Sequence, residues 1–159
     1  MTVHNGNFDP IPPNIYTPAY CSEYVTVNSK ASSAEYNVFD DGNYVAFAHT
    51  SLVTAAGITF DHAAGTFTVA AAGKYKLEVL AVAVNSNSSG TINYFRVYVD
   101  AVEVHESVFF WTGGIRSHVV PLILDLTAGQ AVSITVENNG VTATTTIQAG
   151  TTCSLERVA

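Results

Sequence analysis

The side chains that could perform catalysis or bind a metal are few in this sequence, and their spacing brings none of them together. The five histidines show no His-x-x-x-His spacing and have no paired carboxylates beside them, whereas zinc needs three or four convergent ligands. The one acid–base candidate is His105 with Glu106 next to it, and these two side chains would point to opposite faces of a strand. The sequence therefore predicts no catalytic residue, no metal site and no cofactor.

An aromatic cluster near the middle of the chain is the candidate ligand contact. It lies in the stretch HESVFFWTGG, directly before two glycines. Amphipathic rings beside a glycine loop suit contact with a sugar or a protein, so we single out His105, Phe110 and Trp111. The alternative is packing, because either Phe109 and Trp111 or Phe110 would face the core of a strand-built domain.

The segment Asp40-Asp41-Gly42 is the other polar cluster. Its carboxylates could bind calcium, which prefers hard oxygen ligands. Asp and Gly are also common turn residues, and the sequence has no repeated acidic spacing of the EF-hand kind. We therefore expect a turn at this position.

Charge and hydropathy exclude two classes of partner. The net charge is −7, and the six Lys and Arg residues are scattered, whereas nucleic-acid binding needs a basic stripe. No apolar run approaches the ~18 residues that span a membrane. The N-terminus lacks the charged and apolar regions of a signal peptide and starts at Met1. We expect no nucleic-acid partner and no membrane insertion. Either the chain is not exported by that route or a leader has been trimmed from it, and Met1 favours the first.

Residues 1–21 form a proline-rich segment before the predicted domain. Four of the five prolines lie here, and since proline disfavours helix in the residue before it, the segment should be extended. It is more apolar than a disordered linker usually is. It either packs as a tail on its own domain or docks on a neighbouring protein. In the second case the docking-arm residues are Phe8, Ile11, Ile15 and Tyr16.

Residues 22–159 are predicted to form short strands separated by turns. KYKLEV alternates apolar and polar residues, as a strand with one buried face does. A tight turn is expected at Asp100-Ala101, and Asn138-Asn139-Gly140 predicts a hairpin. No segment has helical periodicity over the ~11 residues that would be needed. Regularly spaced short strands indicate a sandwich or a barrel.

Two predicted strands are apolar on both faces. The strand after Gly73 alternates at first, but from Leu80 to Val84 both faces are apolar. In VVPLILDL, Val119 and Ile123 lie opposite a row of leucines. A strand of an antiparallel sandwich normally shows one face to water. Because no helix is predicted to cover the second face, another copy of the chain is the simplest cover.

Three stretches, GTFTVAAAGKYKLEV, LILDLTAGQAVSITV and CSLERVA, resemble the jelly-roll domain of the complement globular head and tumour necrosis factor superfamily. The resemblance covers residues 22–159. Ala71 stands where the family often has Pro, and Gln130 where it often has Asp, so ligand or metal roles of animal members are not carried over. The matching residues are Gly65, Phe67, Val69, Gly73, Tyr75, Leu77, Leu124, Leu126, Gly129, Val132, Ile134 and Leu155.

The resemblance implies an all-β, ten-strand jelly-roll sandwich that assembles as a compact homotrimer. Lys76 of each chain would pair with Glu78 of a neighbour at a polar mouth of the three-fold axis. The first strand would pair antiparallel with the last, which would place Cys21 and Cys153 at opposite ends and argues against a disulfide. The implied trimer interface consists of Lys76, Glu78, Leu80, Val82, Val84, Val119 and Ile123.

These features together predict a non-enzymatic homotrimeric structural or recognition protein. The expected setting is the surface of a virion, as a phage or virus capsid-surface, decoration or fibre-head component. The N-terminal arm would bind capsid or other particle proteins. Jelly rolls are common in capsids, which is an analogy at the level of fold. The alternative is an extracellular, cell-surface or spore-surface module that recognises protein or carbohydrate.

Overall fold

The structure, a computed structural model, describes residues 19–26, 29, 32, 34–43, 49–54, 57–86, 91–111, 114–139 and 143–159. In these ranges the chain forms strands, turns and one short 3-10 turn at Asp41–Asn43. The strands are β1 (Tyr20–Val25), β2 (Tyr36–Asn37), β3 (His49–Thr54), β4 (Ile58–Asp61), β5 (Thr66–Val69), β6 (Gly73–Asn85), β7 (Thr91–Val99), β8 (Val102–Trp111), β9 (Gly114–Leu126), β10 (Ala131–Asn138), β11 (Thr145–Ile147) and β12 (Thr152–Arg157).

The strands build two antiparallel sheets that pack face to face. The first sheet has the order β9-β6-β12-β1-β3, and the second has the order β4-β5-β10-β7-β8. The short strand β11 extends the first sheet beside β6, and β2 extends the second beside β10. The predicted all-β sandwich of ten main strands is therefore confirmed. Among the described residues there is no helix with the length and hydropathy of a membrane span.

The core lies between the sheets because the strands alternate as their sequences predict. Tyr75, Leu77 and Val79 of β6 are fully buried, and they face apolar residues of β7 and β10, including Phe95 and Ile134. Each fully buried side chain of this size stabilises the fold by about 1.5–3 kcal/mol. The outward residues of β6 alternate with these core residues over the whole strand.

Turns and close approaches explain two positions of the sequence. Asp100 and Ala101 both have positive φ, 49° and 63°, as a two-residue hairpin turn requires, so the turn predicted there is confirmed. Gly73 begins β6 where the chain's last residue packs against it: a Cβ at this position would overlap the carbonyl oxygen of Ala159. The Lys74 amide donates to that oxygen at 2.8 Å.

The hairpin predicted at Asn138-Asn139-Gly140 is wrong. β10 belongs to the second sheet, whereas β11 pairs with β6 in the first, so the chain crosses between sheets here. A buried polar cluster holds the crossing: Asn138 Nδ2 donates to Thr145 Oγ1 at 3.1 Å, and that hydroxyl donates to Asn93 Oδ1 at 2.7 Å. Asn-Gly favours a turn but does not decide which sheet the next strand joins.

The expected placement of the two cysteines is also wrong. In the β1–β12 ladder Cys21 pairs with Leu155 and Glu23 pairs with Cys153, so the cysteines lie on neighbouring strands, one diagonal step apart. The register of this ladder, in which Tyr20 is opposite Glu156, places Cys21 in the second and Cys153 in the fourth of its five pairs. Both are buried free thiols. β1 begins at Tyr20, two residues before the predicted start of the domain.

Candidate functional site

The outward face of β6 and β9 carries all seven residues of the predicted trimer interface. In the β6–β9 ladder Lys76 is opposite Ile123 and Leu80 is opposite Val119. Leu80, Val119 and Ile123 are 38%, 57% and 59% exposed, although they belong to long apolar strands. We call this surface the sheet face: Lys76, Glu78, Leu80, Val82, Val84, Val119 and Ile123. Their role in assembly stays a prediction.

A groove of about 370 Å³ crosses the sheet face. Its floor is formed by short side chains of β1 and β12, which leave a depression between the tyrosine of β1 and the aliphatic side chains of β6 and β9. The groove joins polar hydroxyls to an apolar wall, so it suits a mixed surface and not a highly charged one. The outward-facing lining residues are Tyr20, Ser22, Glu78, Leu80, Val119, Thr152 and Ser154.

The charged pair on the sheet face forms within one chain. Lys76 Nζ lies 3.0 Å from Glu78 Oε1, and both side chains are about half exposed to solvent. Ion pairs at such exposed positions usually contribute ~0–1 kcal/mol. The family resemblance implied that Lys76 pairs with Glu78 of a neighbouring chain. In this structure Lys76 pairs with Glu78 of its own chain.

A second apolar surface lies along the open side of the sandwich, where β8 and β9 are the edge strands of the two sheets. Ile115 of β9, 64% exposed, is opposite Val84 in the β6–β9 ladder and therefore lies on the same side as the sheet face. At the start of β8, Val102 and Val104 are 65% and 48% exposed, beside Leu124 and Leu126 of β9. We call this surface the edge surface. The sequence did not predict this surface, because an edge position depends on strand order, which the hydrophobic pattern of one strand does not contain.

The three residues predicted to contact a ligand do not come together. On β8, Phe110 points outward and is 66% exposed. His105 points inward, where its Nε2 lies 2.8 Å from Ser107 Oγ. The two residues therefore lie on opposite faces of the strand. The side chain of Trp111 lies outside the described residues, as do the docking-arm residues Phe8, Ile11, Ile15 and Tyr16.

An ion-pair network that the sequence analysis missed lies on the outward face of the second sheet. Arg96 of β7 is surrounded by four carboxylates, at 2.6 Å from Glu137, 2.8 Å from Glu106, 3.3 Å from Glu35 and 3.5 Å from Glu103. Partial burial acts to lower the pKa of Arg96, but the hydrogen bonds to Glu106 and Glu137 outweigh it and raise that pKa. The network orders the side chains on this face of the sheet, and each of its four carboxylates is paired with Arg96.

Neither metal binding nor acid–base chemistry gains support from the described part of the chain. No group of three or more His, Cys, Asp or Glu side chains there could hold a metal ion, and the four glutamates that do converge surround Arg96. Asp40 Oδ1 accepts a hydrogen bond from the Gly42 amide at 2.7 Å, so the Asp40-Asp41-Gly42 segment forms the turn that was expected. The described residues thus offer two apolar surfaces, the sheet face and the edge surface, and not a reaction centre.

Comparison with known proteins identifies the fold. No protein-family model and no curated protein sequence matches the chain. The structure of Eiger TNF from S. frugiperda is similar at 11% identity, covering 90% of this chain and 94% of that one, with a TM-score of 0.60. Murine APRIL at pH 5.0 is similar at 10% identity, covering 88% and 99%, with a TM-score of 0.59.

A second structure of murine APRIL, at pH 8.0, gives 11% identity, 89% and 99% coverage and a TM-score of 0.60. These likenesses span nearly the whole of both chains. The chain therefore has the tumour necrosis factor-like jelly-roll fold that its sequence resembles, and the jelly-roll prediction is confirmed.

Proposed function

We propose that this protein is a non-enzymatic homotrimer that serves as a structural and recognition module. The observation that carries the proposal is the exposed apolar sheet face with its groove, where Leu80, Val119 and Ile123 are 38%, 57% and 59% exposed. Another copy of the chain is the simplest cover for this face. Where the contacting surfaces of successive copies differ, the contact is head-to-tail, and such contacts form a ring when the rotation between copies closes.

The sheet face presents a groove with an apolar wall at Leu80 and Val119. Ile115 and Ile123, 64% and 59% exposed, extend this apolar surface along β9. Exposed apolar area of this extent is expected to be covered in a protein with only 12% charged residues. The copy number of three follows from the family resemblance of the fold.

Oligomeric state tests the proposal directly. Ile123→Lys would place a charge in the middle of the buried face, where an unpaired charge is costly, so the trimer should dissociate in sedimentation velocity or mass photometry. Thr59→Lys is the matched control, because Thr59 is exposed on β4 of the other sheet. A wild-type protein that sediments as a stable monomer would overturn the trimer, and an Ile123→Lys trimer would overturn the assignment of its interface.

The setting that we propose is the surface of a virion, with the N-terminal segment as the anchor. The support is the segment's apolar content, Phe8, Ile11, Ile15 and Tyr16, beside four prolines. A variant that lacks residues 1–18 should be absent from purified particles and should still form trimers in solution. Attachment that survives the deletion would remove the arm from the proposal.

An extracellular or cell-surface module that recognises protein or carbohydrate is the second candidate. Phe110 favours it, because this side chain is exposed next to Ile92, its partner in the β7–β8 ladder, which is exposed too. Stacking on sugar or protein would use such a ring. Binding on a glycan array that is lost with Phe110→Ala and kept with Val102→Ala would support this candidate over the virion setting.

A further inference from the structure

A cleft at one end of the edge surface is lined by apolar side chains that nothing in the described chain covers. It has a volume of about 460 Å³ and opens between β8 and β9, where the two sheets diverge. Because β8 and β9 are sheet edges, the cleft also borders unpaired strand backbone, which folded proteins tend to protect. Its apolar lining consists of Val99, Val102, Val104, Leu124 and Leu126.

The polar side chains at the rim of the cleft already have partners. Asp125 forms an ion pair with Lys74 at 2.8 Å. Asp100 accepts hydrogen bonds from Gln130 Nε2 at 3.0 Å and from the Ala131 amide at 2.9 Å. The acidic rim is therefore largely engaged, and the surface that remains for an occupant is the apolar lining. A hydrophobic segment fits this cleft better than a cation does.

The N-terminal segment enters the fold at the same end of the sandwich. The Arg157 amide donates to the carbonyl oxygen of Ala19 at 2.8 Å, Arg157 pairs with Tyr75, and Tyr75 pairs with Leu124. These four residues form one row across β1, β12, β6 and β9. Since neighbouring strands are ~4.8 Å apart, Ala19 is about 14 Å from Leu124, which lines the cleft.

The N-terminal segment is long enough to reach the cleft, and its residues suit an apolar site. Ile11 is eight residues before Ala19, and an extended proline-rich chain spans ~3.1 Å per residue, so Ile11 can reach roughly 25 Å from Ala19. That distance allows a path around the end of the sandwich. Ile11 is flanked by Pro10 and Pro12, which lack amide hydrogens and so need no acceptor in an apolar cleft.

We propose that residues 10–13 of the N-terminal segment dock in the cleft of their own chain, with the Ile11 side chain between Val104 and Leu124. The segment would cover the exposed end of the two edge strands. This inference does not rest on the trimer or on the virion setting. It takes Ile11 out of any contact with a particle, so an anchor would use the residues outside 10–13, Phe8 among them.

Disulfide trapping in the full-length protein tests the docking. The variant Ile11→Cys/Val104→Cys, oxidised under mild conditions, should form a bond within one chain, seen as a loss of two hydrogens in the intact mass and a linked peptide pair after digestion. Ile11→Cys/Ile115→Cys is the matched control and should stay reduced, because Ile115 is exposed on the same strand but nine residues from Leu124, roughly 30 Å along β9 and away from the end where Ala19 lies. Ile11→Cys alone shows any bond to the native cysteines.

Other results of the trapping experiment would overturn the proposal. A bond that forms only between chains would show that the segment leaves its own domain, and equal trapping of the two pairs would show that it has no fixed position. Amide exchange provides a second measurement: Ile11→Glu should speed exchange at Val102–Val104 relative to Thr2→Glu, and equal rates would contradict docking. The oligomeric state is measured separately, so failure here leaves the trimer untouched.

Discussion

His118 of β9 stacks on Phe109 of β8, with ring centroids 4.5 Å apart and ring planes 25° from parallel. The stack connects the edge strands of the two sheets, and Phe95 of the core lies behind it, 6.2 Å from the His118 ring. His118 Nε2 is buried and has no hydrogen-bond partner within the described residues. A neutral imidazole therefore serves as a packing group at the open side of the sandwich.

The His118–Phe109 stack predicts a loss of stability in acid. Burial lowers the pKa of His118 below its ordinary 6.5, so the unfolded chain takes up a proton before the folded one does. The free energy of unfolding should therefore be at its maximum above about pH 7. It should fall as the pH drops below 6.5 toward the pKa of the folded state. Denaturant titrations at several pH values measure this dependence.

Two variants make the pH test specific. His118→Phe keeps an aromatic stack without a titrating group, so its stability should depend less on pH between 7 and 5. His62→Phe removes another histidine, beside Phe60 on the second sheet, and should keep the wild-type dependence. Arg116 lies two positions from His118 on the same side of β9. Its positive charge is present in both variants, so it does not affect their comparison. An unchanged pH profile for His118→Phe would contradict the assignment.

Removing the central cation of the ion-pair network should destabilise the protein in a salt-dependent way. Arg96→Leu leaves four carboxylates facing one another, and hydrogen bonds to charged groups are worth about 1.5–3 kcal/mol each. We expect a loss of about 1–3 kcal/mol at low salt that shrinks at 1 M salt, where the Debye length is about 3 Å. Arg116→Leu, at an exposed position, removes the same charge and should change stability little. Equal effects of the two variants would show that the network is energetically neutral.

The buried polar cluster at the sheet crossing should be sensitive to loss of its acceptor. Asn93 Oδ1 accepts a hydrogen bond from Thr145 Oγ1 at 2.7 Å and lies 3.5 Å from the side-chain Nδ2 of Asn85. Asn93→Leu should lower the free energy of unfolding by about 1–3 kcal/mol for each buried donor left unsatisfied. Asn139→Leu is a control at an exposed position, expected within about 0.5 kcal/mol of wild type. Chemical denaturation compares the two variants, and a neutral Asn93→Leu would contradict the role of the cluster.

The two native thiols should be unreactive until the protein unfolds. Burial, with the nearby charge of Glu23, raises the pKa of Cys21 to about 12. Burial also raises the pKa of Cys153 well above its ordinary value. Since the thiolate is the reactive form, a disulfide-exchange reagent at pH 8 should detect no thiol in the folded protein and two in denaturant. Thr59→Cys should react at once, and rapid reaction of the wild type would contradict the burial.

Local patterns predicted the fold well, because each strand shows its buried face in its own sequence. The alternation after Gly73 located β6, and the double-sided apolar stretches identified the sheet face. The Arg96 network could not be predicted in this way. Its four glutamates come from three separate parts of the chain, and only the pairing of β7 with β8 and β10 brings them to one arginine.

The register between paired strands was the other property that the sequence did not predict. Cys21 and Cys153 were placed at opposite ends of a ladder from strand direction alone, whereas their separation depends on which residues pair. A shift of a few residues leaves the hydrophobic pattern nearly unchanged if it keeps the same faces buried. The hairpin predicted between β10 and β11 was wrong for a similar reason, because a turn sequence does not specify which sheet the next strand joins.

The bond from the Arg157 amide to the Ala19 carbonyl also determines how the domain would respond to tension. The beginning of β1 and the end of β12 are neighbours at one end of an antiparallel ladder. A pull applied through these two ends loads the ladder's hydrogen bonds one after another and unzips it, whereas strands pulled from opposite ends share the load. A domain held at its N-terminus would yield at low force when drawn by its last residues, and would resist far better when pulled through the β8–β9 connection.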